Sequence, residues 1–132
     1  MSFSNSFAMS GSNYLLDTNI ILYLFAGNKE LAKYLQPHTL FVSIISEMEV
    51  LGFQKLSSTQ ERQMKQFFLA TRRIGIDETI KEQAISLRKT YKLKLPDAII
   101  AATGISLGLP LLTADKQFEQ VAELSLEIFQ PE

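Results

Sequence analysis

Four carboxylates in this chain lie beside short apolar runs, at separate places in the sequence. They are Asp17, Glu49, Asp97 and Asp115, and each follows a predicted strand or lies on a predicted helix. A globular domain keeps Asp and Glu on its surface unless these side chains are paired or bind a metal. Acidic side chains flanked by Leu and Ile therefore predict one shared acidic pocket, most simply a divalent-metal site.

The remaining composition narrows the kind of metal and its chemistry. The chain has no cysteine and a single histidine, His38, in a predicted loop. Thiolate zinc sites and two-histidine sites are therefore excluded, and ligation through oxygen alone favours Mg²⁺ or Mn²⁺. Such ions activate a bound water and stabilise charge during displacement at phosphorus. The acidic pocket therefore predicts phosphodiester hydrolysis.

Each of the four acids also has an ordinary structural interpretation. Asp17 and Asp115 are placed to cap the helices that follow them, and Asp97 in a first helical turn interacts favourably with the helix dipole. A carboxylate in the middle of a helix, such as Glu49, is usually solvated, and Glu47 is its rival on the same helix. The prediction of a site therefore depends on all four residues together.

Predicted strands and helices alternate along the chain, which favours a mainly parallel sheet between helical layers. Ligands of such sheets gather at the carboxyl ends of the strands, so acids that follow different strands can meet there. Strands are predicted over 14–16, 40–44, 110–113 and 124–129, with a further candidate at 73–76. Helices are predicted over 18–26, 29–35, 45–55, 96–107 and 115–121, with one more after a capping box of Ser58 and Glu61 and another capped by Asp77.

Length and composition are those of one globular domain. The chain has 132 residues, 46% of them hydrophobic and 20% charged, and its net charge of −1 gives no overall signature of nucleic-acid binding. No apolar run reaches the roughly 18 residues that a membrane span needs. Residues 1–13 are rich in Ser and lack the features of a signal peptide. We therefore expect a flexible leader, then a single domain over 14–132, in a cytoplasmic protein.

Two local stretches are basic despite the balanced net charge. Arg88, Lys89, Lys92 and Lys94 place four positive charges within seven residues, shortly before Asp97. A solvated helix face is the ordinary interpretation of such a run. Beside an acidic metal pocket, the same residues become candidates for holding the phosphates of a polyanion. The second basic stretch contains Arg62, Lys65, Arg72 and Arg73.

Four segments together resemble the successive motifs of the PIN domain family. They are Leu15-Leu16-Asp17-Thr18-Asn19, Ser46-x-x-Glu49-Val50-Leu51-Gly52, Leu95-Pro96-Asp97-Ala98-Ile99-Ile100-Ala101-Ala102 and Leu112-Thr113-x-Asp115-x-x-Phe118. The resemblance spans residues 14 to 129 and is nearest to the small ribonucleases of VapC-type toxin–antitoxin pairs. It is specific because the four motifs occur in order.

The resemblance implies a three-layer α/β/α sandwich, a Mg²⁺ or Mn²⁺ cofactor and endonucleolytic cleavage of RNA. It also implies a small antitoxin protein as partner and a homodimer. Ser46 stands where the family commonly has Thr, and the hydroxyl is kept. The metal-site acids would be Asp17, Glu49, Asp97 and Asp115, with polar support from Thr18, Asn19, Ser46 and Thr113.

Other interpretations account for less of the chain. A haloacid-dehalogenase-type phosphatase needs a second Asp two residues after the first, and this chain has Asn19 there. A response-regulator receiver domain needs an acidic pair before its phospho-acceptor strand, and none is present. The remaining alternative is a catalytically inactive PIN-like scaffold that binds RNA or protein. Mn²⁺ binding distinguishes this scaffold from the enzyme.

Overall fold

The described residues form a six-stranded sheet with helices on both faces. The computed structural model describes residues 2–5, by their backbone only, and residues 13–131. The strands are β1 (Ser2–Asn5), β2 (Asn13–Leu16), β3 (Thr39–Ser43), β4 (Arg72–Ile74), β5 (Leu111–Thr113) and β6 (Leu126–Gln130). The helices are α1 (Thr18–Phe25), α2 (Lys29–Leu35), α3 (Ile44–Leu51), α4 (Ser58–Leu69), α5 (Glu78–Thr90), α6 (Leu95–Leu107) and a 3-10 helix (Lys116–Gln120).

The strand order across the sheet is β1-β6-β5-β2-β3-β4. The pairs from β6 to β4 are parallel, and β1 pairs antiparallel with β6. In the central strand, Leu16 is opposite Val42 of β3 and Leu112 of β5. The carboxyl ends of β2, β3 and β5 therefore lie side by side at one edge of the sheet.

An apolar core lies on each face of the sheet. Leu15 packs in the core formed with α5 and α6, whereas Tyr14 and Leu16 pack in the core formed with α1, α2 and α4. Successive residues of a strand point to opposite faces, so a continuous apolar run is what a strand covered on both sides requires. The predicted three-layer α/β/α sandwich with a mainly parallel sheet is confirmed.

Helix α6 runs through one of these cores and carries Asp97 in its first turn. The seven residues from Ala98 to Gly104 are all buried, and Gly108 ends the helix in the left-handed conformation with φ of 65°. A Cβ atom on Gly104 would lie 2.9 Å from a side-chain carbon of Leu124. Glycine at this position therefore lets α6 pack closely against Leu124 and the backbone of Leu109.

Several predicted helix boundaries differ from the structure, and for two of them, at α3 and α4, the local reason is clear. The capping box of α4 lies one residue earlier than predicted: Ser57 accepts from the backbone of Gln60, and the Gln60 side chain accepts from the backbone of Ser57. Ser-x-x-Gln and Ser-x-x-Glu satisfy the motif equally well, so the adjacent serines left the choice open. The helix predicted over 45–55 ends at Leu51, where Gly52 caps it.

The start of the chain also differs from the prediction of a flexible leader over residues 1–13. Ser2–Asn5 forms β1, with Ser2 opposite Gln130 and Asn5 opposite Glu127. These four residues belong to the sheet because their backbone pairs with β6. Backbone pairing leaves no pattern in the side chains, so the sequence does not predict this strand. Asn13 belongs to β2, and residues 6–12 lie outside the described residues.

None of the helices in residues 13–131 is long and apolar enough to span a bilayer. The longest, α5 and α6, have 13 residues each, whereas a membrane-spanning helix needs about 20.

Candidate active site

Asp17 lies directly after the central strand, at the carboxyl edge of the sheet. One carboxylate oxygen accepts the Thr18 backbone N–H at 2.8 Å, and the other accepts the Thr113 hydroxyl at 2.6 Å. The residue is only 4% exposed. Burial raises the pKa of Asp17 to about 6, with a further contribution from the charges of Asp97 and Asp115. Asp17 therefore caps α1, as the ordinary interpretation predicts, and is also an acid close to two others.

Glu49 reaches the same edge from α3. Thr18 Oγ1 lies 2.7 Å from Glu49 Oε1 and 2.9 Å from Ser46 Oγ. A carboxylate only accepts hydrogen bonds, so the single Thr18 hydroxyl proton is best used toward Glu49. The three side chains form a chain of contacts that fixes the Glu49 carboxylate next to Thr18, the neighbour of Asp17.

Glu47, the rival of Glu49, points to a different part of the molecule. Its Oε2 lies 3.0 Å from Nη1 of Arg73 on β4. Two positions on a helix correspond to a rotation of about 200°, so the two glutamates cannot face the same pocket. Of the two, the structure places Glu49 beside the other acids.

Asp97 and Asp115 are bridged by Gln117, which sequence reasoning missed. Gln117 Nε2 lies 2.5 Å from Asp115 Oδ2 and 3.3 Å from Asp97 Oδ2. Burial raises the pKa of Asp97, and the negative charges of Asp115 and Glu49 raise it further. The sequence does contain a signal that could have identified Gln117, namely an amide side chain in the first turn of the helix that Asp115 caps. The sequence predicts a helix over 115–121 here, whereas the structure has a 3-10 helix over Lys116–Gln120.

The predicted supporting residues connect the elements that carry the acids. The Thr113 hydroxyl donates to Asp17 and accepts the backbone N–H of Asp115 at 3.0 Å. Asn19 Oδ1 accepts the backbone N–H of Ala114 at 3.2 Å, which ties α1 to the segment after β5. All four predicted supports lie among the acids: Thr18, Asn19, Ser46 and Thr113.

The basic run before Asp97 lines a cleft of 620 Å³ between the end of α5 and the start of α6. Its four cations are exposed, and within the described residues none lies within 4.0 Å of a carboxylate. Lys94 is near enough to lower the pKa of Asp97, against the dominant effect of burial. Lys94 is therefore the cation of this cleft that lies near the acidic site. Its cations are Arg88, Lys89, Lys92 and Lys94.

The second basic stretch is organised differently. Lys65 forms an ion pair with Glu61 at 3.4 Å, and Arg73 pairs with Glu47. Two of its four cations are thus partly neutralised, and they lie on separate elements, α4 and β4. This stretch fits the ordinary interpretation of a solvated surface.

The four acids offer only oxygen ligands to a metal ion, the type that Mg²⁺ and Mn²⁺ prefer. Among residues 13–131, no three Asp, Glu or His side chains are arranged to hold one ion directly. Mg²⁺ characteristically retains several waters and uses only one or two carboxylates. Within the same residues, no Lys or Arg forms an ion pair with any of the four acids. A cation would relieve the repulsion that raises the pKa of Asp97.

The chain matches the model of the PIN domain over residues 14–124. A chain of a toxin–antitoxin complex from Klebsiella pneumoniae has 36% sequence identity to it and superposes with a TM-score of 0.74. The match covers 84% of this chain and 94% of the Klebsiella chain. No curated protein matches the chain.

Two structures with lower sequence identity share the fold. VapBC2 from Rickettsia felis, bound to a promoter DNA fragment, has 22% identity and a TM-score of 0.79, with 89% of this chain and 99% of that chain covered. VapBC-1 from nontypeable Haemophilus influenzae has 24% identity and a TM-score of 0.76, with 86% and 96% covered. The chain belongs to the PIN domain family, and its structural neighbours include VapBC toxin–antitoxin complexes.

Proposed function

We propose that the chain is a Mg²⁺- or Mn²⁺-dependent endoribonuclease that acts in the cytoplasm as the toxin of a type II toxin–antitoxin pair. The observation that carries this proposal is the convergence of Asp17, Glu49, Asp97 and Asp115 at one sheet edge without a basic partner among the described residues. Membership of the PIN domain family supports nuclease activity, and the 36% identical relative is part of a toxin–antitoxin complex.

In this proposal the four acids hold the metal, directly or through its waters. A metal ion held there would supply Lewis-acid chemistry, activating a water and stabilising charge at phosphorus. The chain's own residues position the carboxylates: Thr113 and the Thr18 backbone hold Asp17, and the Thr18 hydroxyl holds Glu49. These contacts fix the acids before substrate arrives, so little reorganisation is needed during the reaction.

The basic cleft is our candidate for the RNA-backbone contact. Its cations are unpaired with carboxylates in the described structure, so phosphates would not have to displace existing ion pairs. Changing Lys89 and Lys92 to Gln should weaken RNA binding for all sequences alike. If both contact phosphates, the slope of log K against log salt should fall by about 1.4 for single-stranded RNA. Lys65→Gln is the control, and an unchanged slope in the double variant would make the cleft a solvated surface.

An apolar groove beside Glu49 is our candidate for the antitoxin contact. The groove has a volume of 240 Å³ and lies between α1, α3 and α4. Phe53 is 66% exposed and Leu22 is 49% exposed at this groove, which is unfavourable for large apolar side chains in water. An antitoxin segment seated there would cover both residues and reach the acidic site next to Thr18 and Glu49.

A cleavage assay with an RNA pool tests the proposed activity. Purified protein should cut single-stranded or looped RNA with Mg²⁺ or Mn²⁺, and EDTA should stop it. The alternative, an inactive PIN-like scaffold, predicts RNA or protein binding without cleavage under any of these conditions. Equal cleavage in EDTA, or no cleavage anywhere in a structured pool with Mn²⁺, contradicts the proposal.

A further inference from the structure

Gln117 lies between two of the four carboxylates and contacts both. Its Nε2 is 2.5 Å from Asp115 Oδ2 and 3.3 Å from Asp97 Oδ2, and its side chain is partly buried. A primary amide nitrogen carries two hydrogens, so one group can donate to both acids at once. The amide thus places partial positive charge between two negatively charged oxygens.

This contact offsets a repulsion that no basic residue in the described structure relieves at short range. The like charges of Asp97 and Asp115 repel each other, and the Gln117 amide, placed to donate to both carboxylates, counters that repulsion. Lys94 acts on Asp97 only beyond ion-pair distance. Asp115 is held on both oxygens by the same residue, since its Oδ1 accepts the Gln117 backbone N–H at 3.0 Å.

We infer that Gln117 is a positioning residue that stands in for the cation while the site is metal-free, and that a divalent ion displaces its amide from Asp97 and Asp115. The inference rests on the metal site proposed above. The carboxylates that receive the amide are also proposed ligands of the ion, so the amide and the ion would compete for them. Removing the amide should therefore destabilise the metal-free protein and tighten ion binding by a matching factor.

Gln117→Met tests this competition because methionine keeps the length of the side chain but has no donor. Relative to wild type, the melting midpoint of this variant in EDTA should fall. Its Mn²⁺ dissociation constant, measured by calorimetry, should decrease roughly tenfold, which is the size expected for one hydrogen bond to a charged group. At saturating Mn²⁺ the two proteins should melt alike. Gln120→Met, an exposed position on the same 3-10 helix, is the matched control and should leave both quantities unchanged.

The outcomes separate this inference from the proposed function. Weaker Mn²⁺ binding by Gln117→Met would show that the amide oxygen joins the ion, and unchanged binding would show that the contact persists in the bound state; either result overturns the inference. Wild-type protein that binds no Mn²⁺ overturns the proposed metal site. The EDTA melts then still decide whether Gln117 holds the two carboxylates together, since an unchanged midpoint rejects that role.

Discussion

Replacing Asp17 with Asn should stabilise the metal-free protein, and the gain should grow with pH. Asp17 is buried, and its pKa is raised from 3.8 to about 6, chiefly by burial. A raised pKa means that the folded protein holds this proton more tightly than the unfolded chain does. Ionised Asp17 therefore costs stability, and the cost increases as the pH rises from 3.8 through 6.

The size of the effect follows from the two pKa values. Linkage gives a destabilisation of about 1.6 kcal/mol at pH 5 and about 2.9 kcal/mol at pH 7. Asparagine can keep both local contacts: its oxygen accepts the Thr18 N–H, and its amide donates to the Thr113 hydroxyl. The stability difference between Asp17→Asn and wild type should thus widen by about 1.3 kcal/mol between these two pH values.

Urea unfolding in EDTA at a series of pH values from 4.5 to 7.5 measures this difference directly. Asp77→Asn is the control because Asp77 also caps a helix, α5, but at an exposed position. A difference that stays constant or narrows as the pH rises would contradict the assignment of Asp17 as a buried, destabilising carboxylate. It would leave Asp17 with a capping role only.

Two further substitutions test the register of α3 and the packing at the opposite edge of the sheet. Glu49→Gln should abolish metal-dependent cleavage while Glu47→Gln retains most of it, and the reverse result in the RNA assay would show that the register is wrong. Tyr34→Phe should cost about 1.5–3 kcal/mol in urea unfolding, because the Tyr34 hydroxyl donates at 2.5 Å to Glu127, which is 1% exposed. Tyr23→Phe is its control, since no hydrogen bond of the Tyr23 hydroxyl is found in the described structure, and equal losses for the two variants would reject the special role of Tyr34.

The sequence predicted most of the fold because the two strongest signals agree. Apolar runs such as Tyr14–Leu16 require cover on both faces, and alternating strands and helices require parallel pairing. Ser2–Asn5 was missed because an edge strand can pair through its backbone alone, without an apolar pattern. The start of α4 was off by one residue because Ser57 and Ser58 are both good caps.

The candidate site could be predicted in outline but not in its contacts. Asp17 and Asp115 follow strands of a parallel sheet, so their shared edge follows from topology. Spacing alone could not show that Thr18 links Glu49 to this edge, or that Gln117 bridges Asp97 and Asp115. Those contacts depend on how helices α3 and α6 are rotated against the sheet, which the linear order of residues does not specify.

Calorimetric titration with Mn²⁺ tests the central claim that the converging acids form one divalent-metal site. Wild-type protein should bind Mn²⁺ saturably and gain about 1.4 kcal/mol of stability at ten times the dissociation constant. Asp97→Asn should weaken binding by about tenfold or more, while Glu47→Gln, whose side chain pairs with Arg73, should bind as wild type does. Wild-type protein that does not bind Mn²⁺, or an Asp97→Asn variant that binds it as tightly as wild type, would contradict the account.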